Sequence, residues 1–154
     1  MTEVYGVGTS SDGPLAWSHA ERRLEGARSY WIATTRPGGK PHAAPVWGVW
    51  VGGSLYFGTG RISVKGRNLA HNPELVVHLE SADDVVILEG EVEEVYDRAA
   101  FEAIDAAYRA KYDMGVSEAG DDGAVWYVVR PRTAHAWLEE DFLNTATRWR
   151  FDAG

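Results

Sequence analysis

Apolar positions along this chain recur at helical spacing in a few stretches and alternate in most others. Trp17, Ala20, Leu24 and Ala27 repeat at helical intervals while Glu21, Arg22, Arg23 and Glu25 face the other way, which predicts an amphipathic helix. Ser18 and Glu21 have capping-box spacing, so this helix is expected to begin at Ser18. From Tyr30 the period falls to two. YWIATT is β-branched and aromatic and predicts a strand, and RPGGK predicts a turn. PHAAPVWGVWV follows as a second strand that is apolar on both faces: Pro45, Trp47, Val49 and Val51 on one, Ala44, Val46, Gly48 and Trp50 on the other. Such a strand belongs in a barrel wall that is itself covered, by a helix or by a second subunit. Gly52 and Gly53 predict a two-residue hairpin loop into a third strand, SLYFG.

Lys65 to Asn72 reads as a short helix closed by Pro73, and ELVVHLE as a strand. VVILEGEVEEVY predicts a long strand with Glu89, Glu91 and Glu93 outward and a bulge or bend at Gly90. Asp97 caps a helix whose apolar stripe is Phe101, Ile104, Tyr108 and Tyr112. Residues 113–123 form a loop long enough to serve as a lid or partner contact. AVWYVVRP, TAHAWLEE and TRWRFD supply the last strands. Residues 1–14, rich in Gly, Ser and Thr, read as a flexible arm ahead of a single domain over residues 15–154. About seven or eight short strands with hairpin connections and two or three helices predict a mainly β (α+β) fold, an antiparallel barrel with helices on its outside. Strands do not alternate regularly with helices and no GxGxxG follows the first strand, which argues against a doubly wound nucleotide fold.

Charge and composition narrow the function classes. The formal net charge of -8 disfavours general affinity for nucleic acid or anionic membranes, since no excess of cations exists to release counterions. The chain has no cysteine, so disulfides and thiolate metal sites are excluded. No apolar run reaches transmembrane length and the first residues are not a signal peptide, so a soluble, cytoplasmic protein is the expectation. Seven tryptophans in 154 residues suit a pocket for a planar ligand or a subunit interface, as well as a core.

Against this acidic background one stretch is locally basic: TGRISVKGRNLAHNP, residues 59–73. Ser63, Lys65, Arg67 and Asn68 lie at the start of the short helix, where unpaired backbone N–H groups and the positive end of the helix dipole favour a phosphate. Thr59 adds a hydroxyl, and Gly60 and Gly66 permit close backbone approach. The plainer alternative is a Ser63 cap with solvated cations. The stretch is not a P-loop, because GxxxxGK[ST] is absent.

Thr59-x-x-x-Ser63-x-Lys65-Gly66-x-x-Leu69-x-x-Asn72-Pro73 resembles the phosphate-binding signature of the pyridoxamine 5'-phosphate oxidase-like split-barrel flavoproteins. The resemblance extends to YWIATTRPGGKPHAAPVWGVW and WVGGSLYFGT. PHAAPVWGVW, KGRNLAHNP and the closing TRWRF are similar to the actinobacterial branch that binds the deazaflavin coenzyme F420. It implies a six-stranded split β-barrel of the FMN-binding type, with flanking helices, and a homodimer with cofactor sites at the subunit interface. It places the cofactor phosphate near Thr59, Ser63, Lys65, Arg67 and Asn68, and the tricyclic ring against the backbone of Pro45, Val46 and Trp47 and near Gly58 to Gly60. The partner subunit would add side chains from its C-terminal strands, for which Trp137 and Arg148 are the candidates. The family's Arg-x-x-Leu-Leu-Lys segment, whose arginine and lysine hold the FMN phosphate, is replaced here by PVWGVW. Pyridoxamine oxidation is therefore not expected, and F420 is favoured over the alternative cofactor, FMN.

The implied function is an F420-dependent oxidoreductase that passes a hydride between the deazaflavin and a small conjugated substrate. Two alternatives stand beside it: an FMN-dependent oxidoreductase, and a carrier or sensor that binds the cofactor without turnover. No acid or base is assigned as catalytic. His42, in the second strand, is the candidate proton donor, against a structural histidine bonded to backbone. The histidines have no i,i+4 pairing, so no metal site is expected.

Overall fold

The computed structural model describes residues 10–116 and 123–151. Nine strands and four helices follow one another among these residues: β1 (Ser10–Asp12), α1 (Trp17–Gly26), β2 (Tyr30–Thr35), β3 (Pro41–Val46), β4 (Gly48–Val51), β5 (Ser54–Gly60), α2 (Val64–His71), β6 (Glu74–His78), β7 (Asp84–Glu94), α3 (Arg98–Tyr112), β8 (Ala124–Leu138), α4 (Phe142–Thr145) and β9 (Thr147–Arg150). A single 3-10 turn, Glu139–Asp141, leads into α4.

All pairings are antiparallel, and they close a ring. β8 pairs with β7, β7 with β6, β6 with β2 and β2 with β3. β3 continues through Trp47 into β4, which pairs with β5, and β5 returns to β8. Counting β3 and β4 as one bent strand gives a six-stranded barrel of the split type, as expected. β9 and β1 extend the sheet beyond the ring from the C-terminal half of β8. Part of the predicted arm is therefore an edge strand, since Ser10–Asp12 pairs with Asp12↔Arg148 at its end; residues 1–9 lie outside the described residues.

Local sequence explains the turns. Gly52 and Gly53 both take positive φ, 58° and 85°, the type I′ geometry that suits a tight hairpin. The register of β7 against β8 shifts between Glu89 and Gly90, with Arg132 the extra residue. Proline lacks an N–H, and Pro131 stands beside that bulge, where ladder pairing is already interrupted. A Cβ on Gly90 would fall 2.2 Å from the Arg130 carbonyl oxygen, so only glycine permits this close crossing.

Four expectations are corrected. The first helix starts at Trp17, with Ala16 as an N-cap that makes no side-chain bond; Glu21 instead accepts from Trp50 Nε1 at 3.0 Å. The second strand is broken at Trp47. AVWYVVRP and TAHAWLEE are one continuous strand, β8, because the bulge absorbs the proline. Glu139 and Glu140 leave that strand for the 3-10 turn.

The barrel interior holds the main core, including Ile32, Phe57, Val77, Leu88 and Val129. Each fully buried side chain of this kind contributes about 1.5–3 kcal/mol. α1 closes the end where β2 begins, with Ala20 and Leu24 buried and Tyr30 donating to the Leu24 carbonyl. α2 covers the opposite end, where Asn68 Nδ2 donates to Thr34 Oγ1 at 3.0 Å. A second apolar layer lies outside the wall, where Ile104, Tyr108 and Tyr112 of α3 cover Val49 and Trp47. The face of the second strand expected to be covered by a helix or a subunit is thus covered by α3 from Trp47 onward. Toward the start of β3, Pro41, Ala43 and Pro45 remain exposed.

Candidate functional site

The bend at Trp47 opens the barrel wall. Up to Val46 the strand pairs with β2, and from Gly48 it pairs with β5. Past the Gly48↔Phe57 pair, β5 continues through Gly58, Thr59 and Gly60 with β8 as its only sheet partner. One backbone edge of β3 and one of β5 therefore face each other without a ladder, and α2 packs beside both. Unpaired edges of this kind present donors and acceptors to a ligand.

At this gap the side chains of Val46 and Trp47 are already engaged elsewhere. Val46 is in the barrel core. Trp47 stacks on Tyr112 at 4.3 Å between centroids and 3° between planes, with the Arg28 guanidinium 5.2 Å above its ring. Pro45 points outward and is exposed. What these three residues offer to the gap is their backbone edge.

The turn into α2 is built from the predicted hydroxyls. Ser63 Oγ donates to the Gly60 carbonyl at 2.7 Å and accepts from the Gly66 amide at 3.1 Å, so it caps the helix. Thr59, buried, lies 3.1 Å from the same oxygen. A Cβ on Gly66 would sit 2.3 Å from the Gly60 carbonyl oxygen, so glycine is what allows the helix to start so close to the strand. A Cβ on Gly60 would meet only Ser63 Cβ, at 3.9 Å, so the space over Gly60 is open. The amides of Val64 and Lys65, in the first turn, have no intrahelical acceptor. Lys65 is half-buried and Arg67 exposed, and among the described residues neither is in an ion pair. Arg61 by contrast is held by Glu94 at 2.6 Å, which pushes the Arg61 pKa up. First-turn amides, two uncommitted cations and open space over a glycine fit a phosphate. Asn68 does not face that space. It is 2% exposed and ties α2 to Thr34 inside the barrel.

Trp137 and Arg148 lie far from this cluster within one chain. Thr59 pairs with Val125 at one end of β8, whereas Trp137 is twelve residues further along, roughly 40 Å of extended strand at ~3.3 Å per residue. They share a shallow outer cleft of about 270 Å³ with Asp12, His135, Phe142 and Thr147. Arg148 donates to Asp12 at 3.0 Å, and its Nε is buried without a partner.

His42 is not bonded to backbone through Nδ1, which is buried without a partner. It stands opposite Thr34 in the β2–β3 register, on the side of the barrel that α2 closes. No group of three or more His, Asp or Glu side chains that could hold a metal ion occurs among the described residues. The 113–123 loop falls largely outside the described residues.

One group of residues is not legible in the sequence. Lys111 Nζ donates to the Gly48 carbonyl at 2.9 Å and to Tyr30 Oη at 2.8 Å, and Tyr112 Oη accepts from the Gly48 amide at 3.0 Å. Burial, with help from Arg28, pushes the Lys111 pKa down to about 8. Helical spacing places Tyr112 only in an apolar stripe. The one available signal is its tyrosine hydroxyl at a buried helical position, which needs a partner.

Comparison with known proteins adds to this geometry. The family described as pyridoxamine 5'-phosphate oxidase matches residues 17–138. No curated protein matches the chain. A solved conserved hypothetical protein from Mycobacterium tuberculosis has TM-score 0.71 and 21% identity, over 82% of this chain and 87% of its own. A structure named as an F420 reductase has TM-score 0.60 and 30% identity, over 74% of this chain and 94% of its own. A heme binding protein from Mycobacterium smegmatis has TM-score 0.65 and 23% identity over 82% of this chain, which spans only 55% of that protein.

Proposed function

This chain belongs to the pyridoxamine 5'-phosphate oxidase family, and from that premise we propose that it is a reductase that uses coenzyme F420. The gap between the free edges of β3 and β5, with Lys65, Arg67 and the first-turn amides of α2 at its end, is the observation that carries this reading. The 30% identity to a structure named as an F420 reductase supports the choice of ligand. So does PVWGVW, which holds no cation where the FMN-binding pattern has an arginine and a lysine.

When bound, the reduced deazaflavin supplies a hydride to an activated carbon of a small conjugated substrate. The chain's own part is to hold and orient. Lys65 and Arg67 neutralise the phosphate, Ser63 shapes the turn that presents the amides, and Asn68 keeps α2 on the barrel. The backbone of Pro45, Val46 and Trp47 and of Gly58 to Gly60 lines the ring. Orientation of this sort supplies a large part of a rate without a dedicated acid or base.

The site is completed by a second copy. Trp31, 37% exposed, lies in one outward row with Pro45, His78 and Ile87, an aromatic and apolar row with one histidine, of the kind that dimers bury. We infer a two-fold axis along that row, perpendicular to the strands, which would reverse strand direction and bring the partner's Trp137–Arg148 cleft toward this chain's α2 end.

Paired titrations test the reading. Quenching of tryptophan fluorescence by F420 at concentrations where FMN gives none is the expected result. A protein purified yellow with FMN, or a monomeric mass in solution, overturns the cofactor and the shared site respectively. Binding of reduced F420 without oxidation by any quinone, enone or tetrapyrrole would make the protein a carrier.

A further inference from the structure

Gly48 sits where the wall strand changes partner, and α3 satisfies its backbone there. Its amide donates to Tyr112 Oη at 3.0 Å, and its carbonyl oxygen accepts from Lys111 Nζ at 2.9 Å. The same tyrosine hydroxyl donates to the Arg28 carbonyl at 2.7 Å, and Lys111 reaches Tyr30 Oη, which donates in turn to the Leu24 carbonyl. Two side chains one residue apart thus take the place of a neighbouring strand, and they join the bend to α1 and to the segment before β2. The Tyr112 ring adds a stacking contact on Trp47. A buried backbone amide or carbonyl left without a partner is costly, so the bend is stable only while these groups are in place.

From this geometry we propose that Tyr112 and Lys111 are positioning residues for the ligand: they fix the strand switch at Gly48 and thereby the Pro45–Trp47 edge that faces the gap. The role rests on the reading of that edge as the ring-binding edge. It gives α3 an influence on affinity that acts through the backbone of Gly48. Arg28, whose guanidinium carbon lies 5.2 Å and 5.4 Å from the Trp47 and Tyr112 ring centroids, is the charged neighbour that presses on Lys111, and Tyr30 is the hydroxyl that receives it. The depressed Lys111 pKa is the physical sign that this amine is held in a confined, desolvated place.

Tyr112→Phe is the informative substitution, because it keeps the ring on Trp47 and removes the partner of the Gly48 amide. Hydrogen exchange at the Gly48 amide is followed by NMR, and oxidised F420 and FMN are titrated separately into the full-length parent and variant. Expected are at least tenfold faster exchange at Gly48 and at least tenfold weaker F420 binding. The further loss on adding Lys65→Ala should be the same in both backgrounds, since the phosphate contact is separate. Faster Gly48 exchange with unchanged affinity overturns the positioning role alone, as does unchanged exchange. A parent that binds neither F420 nor FMN overturns the site reading and the positioning role together. If Tyr112→Phe does not fold, Lys111→Met removes the donor to the Gly48 carbonyl instead, and Lys111→Gln, which retains a donor, is expected to restore part of the affinity.

Discussion

Two helices border the same gap and treat the backbone beside it in opposite ways. α3 is long, capped at Asp97 by an Asp97–Ala100 bond and ended by Asp113 in the left-handed region. It buries Ile104, Tyr108 and Tyr112 and satisfies both polar groups of Gly48. α2 has eight residues and is tied down by Ser63, Gly66 and Asn68. Its Val64 and Lys65 amides have no intrahelical acceptor, and among the described residues Lys65 and Arg67 are in no ion pair. On the proposed function the difference separates a scaffold from a receptor: one helix closes hydrogen bonds and the other leaves them open.

That contrast can be broken. The largest stability effect is expected from Ile104→Ala, which empties the fully buried centre of the α3 layer and should cost about 2–5 kcal/mol in urea unfolding. A loss below about 1 kcal/mol would show that α3 is peripheral. Lys65→Ala should do the reverse. F420 affinity falls at least tenfold, roughly 1.4 kcal/mol or more, while stability stays within about 0.5 kcal/mol of the parent. An unchanged affinity would remove Lys65 from the phosphate site.

Ser63→Ala lies between the two, because Ser63 both caps α2 and shapes the turn. Loss of the cap should lower stability by about 1 kcal/mol and weaken F420 binding less than Lys65→Ala does. An equal loss from both would make the turn, not the cation, the main determinant.

The smallest expected effect sharpens the α3 side through pH. The Lys111 pKa, about 8 in the folded chain, lies below its ordinary value of 10.5. Between the two the unfolded chain holds a proton that the folded chain has lost, so stability rises with pH. Burial raises the Tyr30 and Tyr112 pKa values, so above about pH 10 the unfolded chain loses protons that the folded one keeps, and stability falls. Urea midpoints across pH 7 to 11 should therefore rise and then fall in the parent. Lys111→Met should lose the rise and keep the fall; a rise that persists would place it on another group.

Much of the fold was legible because it is written in local period and turn chemistry. Alternation over YWIATT and SLYFG, the paired glycines at 52–53 and the capped stripe from Asp97 to Tyr112 each depend on neighbours within a few residues. The candidate phosphate stretch was legible for the same reason, since Thr59, Ser63, Gly66 and Lys65 are close in sequence. Less was legible where a residue has two possible partners. Ser18 and Glu21 have the spacing of a cap, but Glu21 meets Trp50, and a distant tertiary bond replaces the local one.

By itself the sequence determined where most strands and turns lie, the two-faced apolar character of residues 44–51, the acidic background and the local basic stretch within it. The tertiary structure alone decided that the second strand changes partner at Trp47, that Gly48 is held by Lys111 and Tyr112, and that Asn68 turns inward to Thr34. It also put Trp137 and Arg148 at the far end of the barrel from Lys65. The reason is physical. Period and propensity act between residues a few positions apart, whereas which edge stays unpaired depends on the register between segments tens of residues apart, and that is settled only when the ring of strands closes.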